Sequence, residues 1–247
     1  MHKKTIKGFS KLSKEEKLDW TAAHFSGHPE DMVAEARSFW HADESQQRVL
    51  DGFSENTITN YLLPYGIAPN FIINGRAYAV PMVIEESSVV AAAASAAKFW
   101  MARGGFRAEV LGTEKLGQVH FKWPGKVEKL RSVFSELKAR FYEEAASLTA
   151  NMEKRGGGVL DVELCDRTAL EADYYQLLVR FDTCDSMGAN FINSVLESFA
   201  RSLTDFLAGH PAFGEEERRV EVIMSILSNY TPDCLVRTWV ECPVEAL

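Results

Sequence analysis

The chain has 247 residues, of which 46% are apolar and 25% charged, a composition typical of a soluble protein with one large domain or two modest ones. Its formal net charge of −8 argues against nucleic acid as a partner, since binding to phosphates is dominated by Lys and Arg. No window approaches the ~18–20 uninterrupted apolar residues of a membrane span, and the basic amino terminus lacks the apolar core of an export signal.

The cysteines indicate a reduced, cytoplasmic protein rather than a disulfide framework. The four of them contain no CxxC pair, and none lies at metal-ligand spacing from a histidine. They are Cys165, Cys184, Cys234 and Cys242. His24 and His28 are four residues apart, but Pro29 follows directly and no third ligand is near. We therefore expect no metal site.

Three short helices are predicted at the start of the chain. Ser13 and Glu16 have the spacing of a capping box, and Pro29 suits the first position of a second helix. A third helix is predicted from about Glu44 to Leu50, ending at Gly52. None of these segments carries recognisable chemistry, and we expect them to dock onto the body of the protein or onto another subunit.

A predicted hairpin leads into the first candidate site. Asn74-Gly75 lies between apolar runs and accepts positive φ at both turn positions. The second strand ends at Glu85 and Glu86, and Ser88 is predicted to cap the alanine-rich helix that follows. A carboxylate held between a buried strand and a packed helix loses water, which raises its pKa toward a value useful for proton transfer. Alternatively, the two glutamates are solvated residues that interact favourably with the helix dipole.

The pattern changes near Leu111, where we place a domain boundary. Val119, Phe121 and Trp123 alternate with polar residues, which predicts a strand with one buried face. A long amphipathic helix follows and ends at the glycine triplet 156–158. Two strands, a second helix and further strands complete the order β-α-β-β-α-β, which indicates a ferredoxin-like sandwich with an antiparallel sheet. The chain is therefore predicted to be α+β.

The second candidate site lies between the third strand and the second helix of this domain. The segment Asp185-Ser-Met-Gly-Ala-Asn190 contains a glycine turn that opens a helix, and such a turn presents free N–H groups to an anionic or amide-bearing ligand. A GxGxxG motif is absent, so a Rossmann fold has no support. The alternative is that Gly188 forms an ordinary turn and Asn190 caps the helix. Asn229 lies in a predicted turn before Pro232. It could be an ordinary turn residue, because Asn tolerates positive φ.

Three separated stretches of the sequence resemble class II (bacterial-type) 3-hydroxy-3-methylglutaryl-CoA (HMG-CoA) reductases. The first is ENTITNYLLPYGIAPNFIINGRAYAVPMVIEESSVVAAAASAAKFWMARGGF, from Glu55 to Phe106. The others are DSMGANFIN, from Asp185 to Asn193, and ILSNY, from Ile226 to Tyr230. Essentially the whole chain is similar to the amino-terminal half of this family.

The resemblance implies a fold and a division into domains. Residues 1–110 would form amino-terminal helices and the first part of a helix-rich, CoA-substrate-binding domain. Residues 111–241 would form a small ferredoxin-like NAD(P)-binding domain, and residues 242–247 would begin the return into the large domain. In the family, the ENTIT segment lies against the acyl-CoA site, and here Thr59 occupies a position that is usually glycine.

The resemblance also implies the site residues. Glu86 matches the catalytic glutamate, because the family places that residue two positions before the serine that Ser88 matches. Ser88 and Asn229 would contact the substrate. The remaining matched residues would surround the dinucleotide: Asp185, Met187, Gly188, Asn190 and Asn193.

The cofactor implied is NADPH or NADH. NADH-preferring relatives place an aspartate late in the first long helix of the small domain, where it holds the ribose hydroxyls. We expect Thr149 at that position. A neutral residue would not repel a 2′-phosphate, so the preference inferred is for NADPH. The other implied partners are HMG-CoA and a second copy of the chain, with the active site near a dimer interface in the complete enzyme.

The family's remaining catalytic groups are expected outside this sequence. A lysine, an aspartate and a carboxy-terminal histidine follow the small domain in the family, whereas this sequence extends to Leu247. We therefore expect an amino-terminal portion of a reductase, inactive alone. A different function, that of a non-catalytic ferredoxin-like protein that binds another small molecule, would be distinguished by its failure to bind a nicotinamide dinucleotide.

Overall fold

The structure is a computed structural model that describes residues 5–247. It divides into two compact units. The first consists of the described residues up to Gly105 together with Cys242–Leu247, and the second is Phe106–Glu241. The second unit begins at Phe106 rather than near Leu111, which lies inside a long strand, Arg107–Lys122. Leu111 lies within this strand, five residues after the start of the second unit.

The first unit contains four α-helices and one hairpin in the described residues. The helices are α1 (Lys14–Phe25), α2 (Pro29–Ser38), α3 (Glu44–Asp51) and α4 (Ser87–Met101), and the strands are β1 (Tyr65–Ile73) and β2 (Arg76–Val83). The capping box of Ser13 and Glu16 is confirmed, as are Pro29 at the start of α2 and Gly52 at the end of α3. Short 3₁₀ turns occupy Phe9–Lys11 and Val244–Ala246.

The predicted hairpin is confirmed and supports helix α4. Asn74 and Gly75 adopt φ values of 50° and 78°, as the tight turn between β1 and β2 requires. A Cβ added to Gly66 would lie 3.3 Å from the Val90 methyl groups, so α4 packs closely on β1. The hairpin thereby fixes the start of α4, which is where the two glutamates lie.

The second unit contains the remaining strands and two long helices. Its elements are β3 (Arg107–Lys122), α5 (Val127–Glu153), β4 (Gly158–Asp166), β5 (Tyr174–Asp182), α6 (Ala189–Gly209), β6 (Glu221–Leu227) and β7 (Cys234–Trp239). Four strands pair in the antiparallel order β4-β5-β3-β6. This is the strand order of a ferredoxin-like βαββαβ sandwich, so the predicted fold class is confirmed. In addition, β7 pairs with the first half of β3.

The core of the second unit lies between one face of this sheet and the helices α5 and α6. The strand residues Val119, Phe121 and Phe181 are fully buried, which confirms the alternation predicted from the sequence. On α5, Leu137 and Phe141 are also fully buried. Leu148, a further apolar residue at helical spacing, is instead 40% exposed, because the buried stripe of α5 continues through Ala145, Thr149 and Met152 and Leu148 lies beside it.

In the described part of the chain, none of the helices is long and apolar enough to cross a membrane. The four cysteines are free thiols. Within residues 5–247, no group of three or more His, Cys, Asp or Glu side chains is arranged to hold a metal ion.

Candidate functional site

Glu86 lies at the junction between the hairpin and α4. It is the N-cap residue of α4, with φ −107° and ψ 122°, and its side chain caps none of the described backbone N–H groups. The hydroxyl of Ser88 donates a hydrogen bond to the Glu86 carboxylate. The prediction that Ser88 is the N-cap is therefore wrong. Ser88 is the second residue of the helix, and its hydroxyl orients the carboxylate instead of capping the backbone.

The surface around Glu86 is open. Glu85, Glu86 and Ser88 are all exposed, and on α4 only Ala97 is buried among the described residues. The desolvation expected from the sequence is thus not provided by this unit. Because the alanine side chains leave the backbone of α4 accessible, the surface can be approached closely by a bulky group. Glu86 would lose its water when such a group covers it.

The second candidate site is the loop that opens α6. Gly188 is the N-cap of that helix, with φ 77° in the left-handed region, and its carbonyl accepts from Ile192 N at 2.9 Å. The alternative that Asn190 caps the helix is wrong, because Asn190 is the second residue of α6. The first N–H groups of a helix have no acceptor within it, and the dipole is positive at this end. The loop can therefore receive an anionic group.

Thr183 holds this loop from inside the unit. It is fully buried, and its hydroxyl donates to the carbonyl of Ser186 at 2.7 Å. In return, the Ser186 hydroxyl donates to the Thr183 carbonyl at 2.8 Å. A Cβ at Gly188 would lie 2.4 Å from Cγ2 of Thr183, so only glycine permits this approach of the helix start to the strand end.

The glycine triplet after α5 lies against the same loop. A Cβ at Gly157 would lie 2.4 Å from the carbonyl oxygen of Asp182, the last residue of β5. Cys184 donates from its thiol to the Arg155 carbonyl at 3.3 Å, and its backbone N–H donates to the Asp182 carboxylate at 2.7 Å. The triplet therefore ends α5, as predicted, and also brings that end of the helix beside the loop.

Lys115 is the residue at this site that the sequence reasoning missed. Its ammonium group donates to Thr183, Ser186 and Met187, all at or within the loop. In the sequence it is one lysine in a strand with no motif around it. Only the pairing of β3 with β5 brings it to the loop, since Lys115 is the register partner of Phe181.

Asn193 and Asn229 reach the same end of the sheet in different ways. The side-chain carbonyl of Asn193 accepts from Leu227 N at 2.9 Å, which ties α6 to the end of β6. The next residue, Ser228, donates from its backbone to the Leu116 carbonyl at 2.8 Å. Asn229 follows and is exposed. Asn193 thus positions the ILSNY segment through its carbonyl, while Asn229 presents its amide to solvent.

We expect Asn193→Ala to weaken the junction between α6 and β6. Loss of the acceptor leaves the Leu227 N–H without its partner, at a cost of about 1–3 kcal/mol. Hydrogen exchange at the Leu227 amide should accelerate accordingly, because local opening becomes easier. Asn193→Asp retains an acceptor oxygen and should protect that amide, and Ser194→Ala, at an exposed position, serves as the neutral control. Unchanged exchange in Asn193→Ala would contradict the assigned role.

Thr149 does not join the site. It is 4% exposed, and its hydroxyl donates to the Ala146 carbonyl of its own helix at 3.3 Å. The side chain therefore points into the packed part of α5 and offers nothing to a ribose. Thr149 lies late on α5, as expected, but the rotation of the helix places its side chain inward.

An open cleft of about 710 Å³ lies beside the loop on the second unit. Asp182 lines the cleft, and its carboxylate also accepts a hydrogen bond from the backbone of Cys184 in the loop. The Arg180 guanidinium is bonded to Glu114 and Asp233, at 3.3 Å and 3.0 Å, and these two carboxylates raise the pKa of Arg180. With three carboxylates and one guanidinium, the cleft is unfavourable for phosphate and suits groups that donate hydrogen bonds, such as hydroxyls. The start of α6 is therefore a more favourable binding site for an anion than this cleft.

Together these features define a class of protein: a two-unit α+β protein whose ferredoxin-like unit carries an anion-receptive loop, and whose other unit presents a serine-oriented glutamate. A known protein family matches nearly the whole chain. The profile of the Hydroxymethylglutaryl-coenzyme A reductase family matches residues 21–247. The chain belongs to this family, so the resemblance seen in three stretches is confirmed.

Two curated relatives support the assignment. The chain is 34% identical over 200 residues to 3-hydroxy-3-methylglutaryl-coenzyme A reductase of Archaeoglobus fulgidus, an alignment that covers 79% of this chain and 44% of the relative. It is 36% identical over 186 residues to the probable reductase of Borreliella burgdorferi, covering 72% and 38%. The chain thus spans less than half the length of these relatives.

Solved structures agree with the fold. The class II 3-hydroxy-3-methylglutaryl-CoA reductase of Streptococcus pneumoniae, bound to NADPH in open conformations, is similar with a TM-score of 0.63 and 33% identity. The match covers 95% of this chain and 59% of that one. A second structure of the S. pneumoniae reductase gives the same TM-score and identity, with 52% of that chain covered.

Proposed function

We propose that this chain supplies the catalytic glutamate and the dinucleotide site of an HMG-CoA reductase. The reaction is the reduction of HMG-CoA by two NAD(P)H and two protons to mevalonate, free CoA and two NAD(P)⁺, a step of the mevalonate pathway to isoprenoids. The observation that carries the proposal is the glycine-capped loop at the start of α6, held by Thr183 and Lys115, in a chain of this family.

In this proposal the loop binds the dinucleotide. Asp185, Met187 and Asn190 are exposed around Gly188, so their side chains are available to a ligand. The helix start supplies N–H groups and a positive dipole end for the pyrophosphate. Asn193 contributes by its bond to Leu227 N and so acts through the position of the ILSNY segment.

Glu86 is the proposed general acid. As hydride is delivered to the thioester carbonyl, the oxygen gains negative charge, and a carboxylic acid at hydrogen-bond distance can donate the proton. Ser88 keeps the Glu86 carboxyl in one orientation and is a proposed contact to the hydroxymethylglutaryl group. Asn229, exposed after β6, is proposed to hydrogen-bond near the thioester. The catalytic groups that the family adds after the small domain complete the reaction, and the chain is proposed to be inactive without them.

The proposed cofactor is NADPH, with NADH as the alternative. The support is the NADPH bound to the similar S. pneumoniae reductase, since the argument from Thr149 is removed by the burial of that residue. The free thiols agree with the proposed cytoplasmic location. Self-association is also proposed, because the first unit exposes large apolar side chains such as Tyr61 (83%) and Tyr65 (69%), and exposed apolar surface commonly marks a contact with another chain.

Titration of the chain with NADPH tests this function directly. We expect saturable binding, seen as enhanced dihydronicotinamide fluorescence, which NADP⁺ competes away. Gly188→Ala is the matched negative variant, and NADH measured in parallel tests the cofactor preference. A well-folded chain that ignores both reduced dinucleotides would contradict the proposed site and favour a ferredoxin-like protein for another small molecule.

A further inference from the structure

Lys115 uses its whole hydrogen-bonding capacity on the loop that opens α6. An ammonium group has three donors and no acceptor. Here the three acceptors are Oγ1 of Thr183 at 2.7 Å, the Ser186 carbonyl at 2.7 Å and the Met187 carbonyl at 3.2 Å. The side chain is partly buried. The lysine is therefore bound to the loop and has no donor left to offer a ligand.

These bonds change the electrostatics of the helix start. The carbonyls of Ser186 and Met187 immediately precede Gly188, and each carries the negative end of a peptide dipole. If they faced an incoming anion, they would oppose the positive end of α6. Lys115 bonds to both carbonyls and so offsets their negative ends, which leaves the positive end of α6 unopposed.

The same bonds fix the loop in one conformation. Lys115 and Ser186 both bond to Thr183, and Thr183 is the residue against which Gly188 is packed. Removal of the ammonium would leave two loop carbonyls and one buried hydroxyl oxygen without this partner. Hydrogen bonds to charged groups are among the stronger ones in proteins, so we expect a large part of the loop's order to depend on Lys115.

We propose that Lys115 is a positioning residue for the dinucleotide: it holds the Thr183–Gly188 loop in its receptive conformation without contacting the ligand. The inference rests on the proposed dinucleotide site. It assigns a role to a strand lysine that carries no recognisable motif, and it predicts that charge and donor geometry at position 115 both matter.

The test is the affinity of the chain for NADPH, together with amide hydrogen exchange across residues 184–190. Lys115→Met keeps the length of the side chain and removes its charge and donors. We expect NADPH affinity to fall roughly 10-fold or more, which is the equivalent of losing one strong charge-assisted bond. Loop exchange should accelerate by a similar factor, while exchange in the core strand β5 stays unchanged. Lys115→Arg should recover part of both.

Lys122→Met is the matched control. Lys122 lies on the same strand, roughly 23 Å away at ~3.3 Å per residue, and forms an exposed ion pair with Glu171. The control removes the same charge and should change the affinity less than twofold. Wild-type affinity in Lys115→Met would overturn the proposal. Weaker binding with unchanged loop exchange would also overturn it, since the charge would then act on the ligand directly.

The exchange measurement is still informative if the wild-type chain binds no dinucleotide. Failure to bind would contradict the proposed function but would not test whether Lys115 positions the loop. Exchange across residues 184–190, measured in the free chain, would then decide on Lys115 alone. Equal exchange rates in wild type and Lys115→Met would reject the inference. Faster exchange confined to the loop would support the part of it that assigns Lys115 to holding the loop.

Discussion

Gly188→Ala should abolish dinucleotide binding and destabilise the start of α6 by about 2–5 kcal/mol. Two costs add up. An L-residue in the left-handed region costs roughly 1–2 kcal/mol, and Gly188 has φ 77°. The new Cβ would also lie 2.4 Å from Cγ2 of Thr183, and overpacking of a buried site commonly costs about 1–3 kcal/mol. Thr183 is fully buried, so it cannot move aside freely.

Amide exchange in α6 and in the loop is the appropriate measurement for Gly188→Ala. The chain has two compact units, and a single denaturation midpoint is poorly defined for such a protein. Gly209→Ala is the control, because Gly209 is the last residue of the same helix and an added Cβ there would meet nothing within 4 Å. Alanine favours the helix, so the control should be neutral or slightly stabilising. Normal NADPH binding by Gly188→Ala would contradict the described loop geometry.

Glu86→Gln should reduce reductase turnover by at least ~100-fold, because general acid catalysis typically contributes about 10²–10⁴. The amide has the same shape as the carboxyl group but cannot supply the proton. The measurement requires a chain extended to the length of its relatives, of which the present sequence covers 44% and 38%. Acyl-CoA-dependent loss of NADPH absorbance reports turnover, and circular dichroism checks that the fold is retained.

Glu85→Gln is the matched control for this experiment. Glu85 is adjacent and also exposed, but the hydroxyl of Ser88 donates to Glu86. We therefore expect a change of less than about threefold in Glu85→Gln, within the range of a removed surface charge. Comparable losses in the two variants would remove the reason for choosing Glu86. A fully active Glu86→Gln enzyme would show that another group supplies the proton.

Much of the fold follows from local patterns in the sequence. The Asn74-Gly75 turn and the buried alternation of Val119 and Phe121 are found as predicted. The turn depends on the backbone conformations that Asn and Gly allow. The alternation depends on the two-residue repeat with which strand side chains face the core. The ferredoxin-like order of elements follows in turn, since few topologies bury two amphipathic helices on one antiparallel sheet.

The candidate site was predictable only as far as its motifs are continuous. The DSMGAN loop and the pair Glu86 and Ser88 are short continuous segments. Their residue types mark them as candidate sites, and their roles are inferred from the family resemblance. The predicted capping role of Ser88 is wrong, since Glu86 is the N-cap of α4. A hydroxyl near a helix start can bond to the backbone or to a nearby carboxylate, and the sequence pattern does not distinguish between them.

The elements, the fold class and the family of this protein can therefore be inferred from the amino-acid sequence, because they depend on local periodicity and on continuous motifs. Which distant residues meet is visible only in the folded chain. Lys115 reaches Thr183 across 68 positions and Asn193 reaches Leu227 across 34, while Thr149 turns inward. Such contacts are set by strand register and helix rotation, which depend on packing of the whole unit and leave no local signal in the chain.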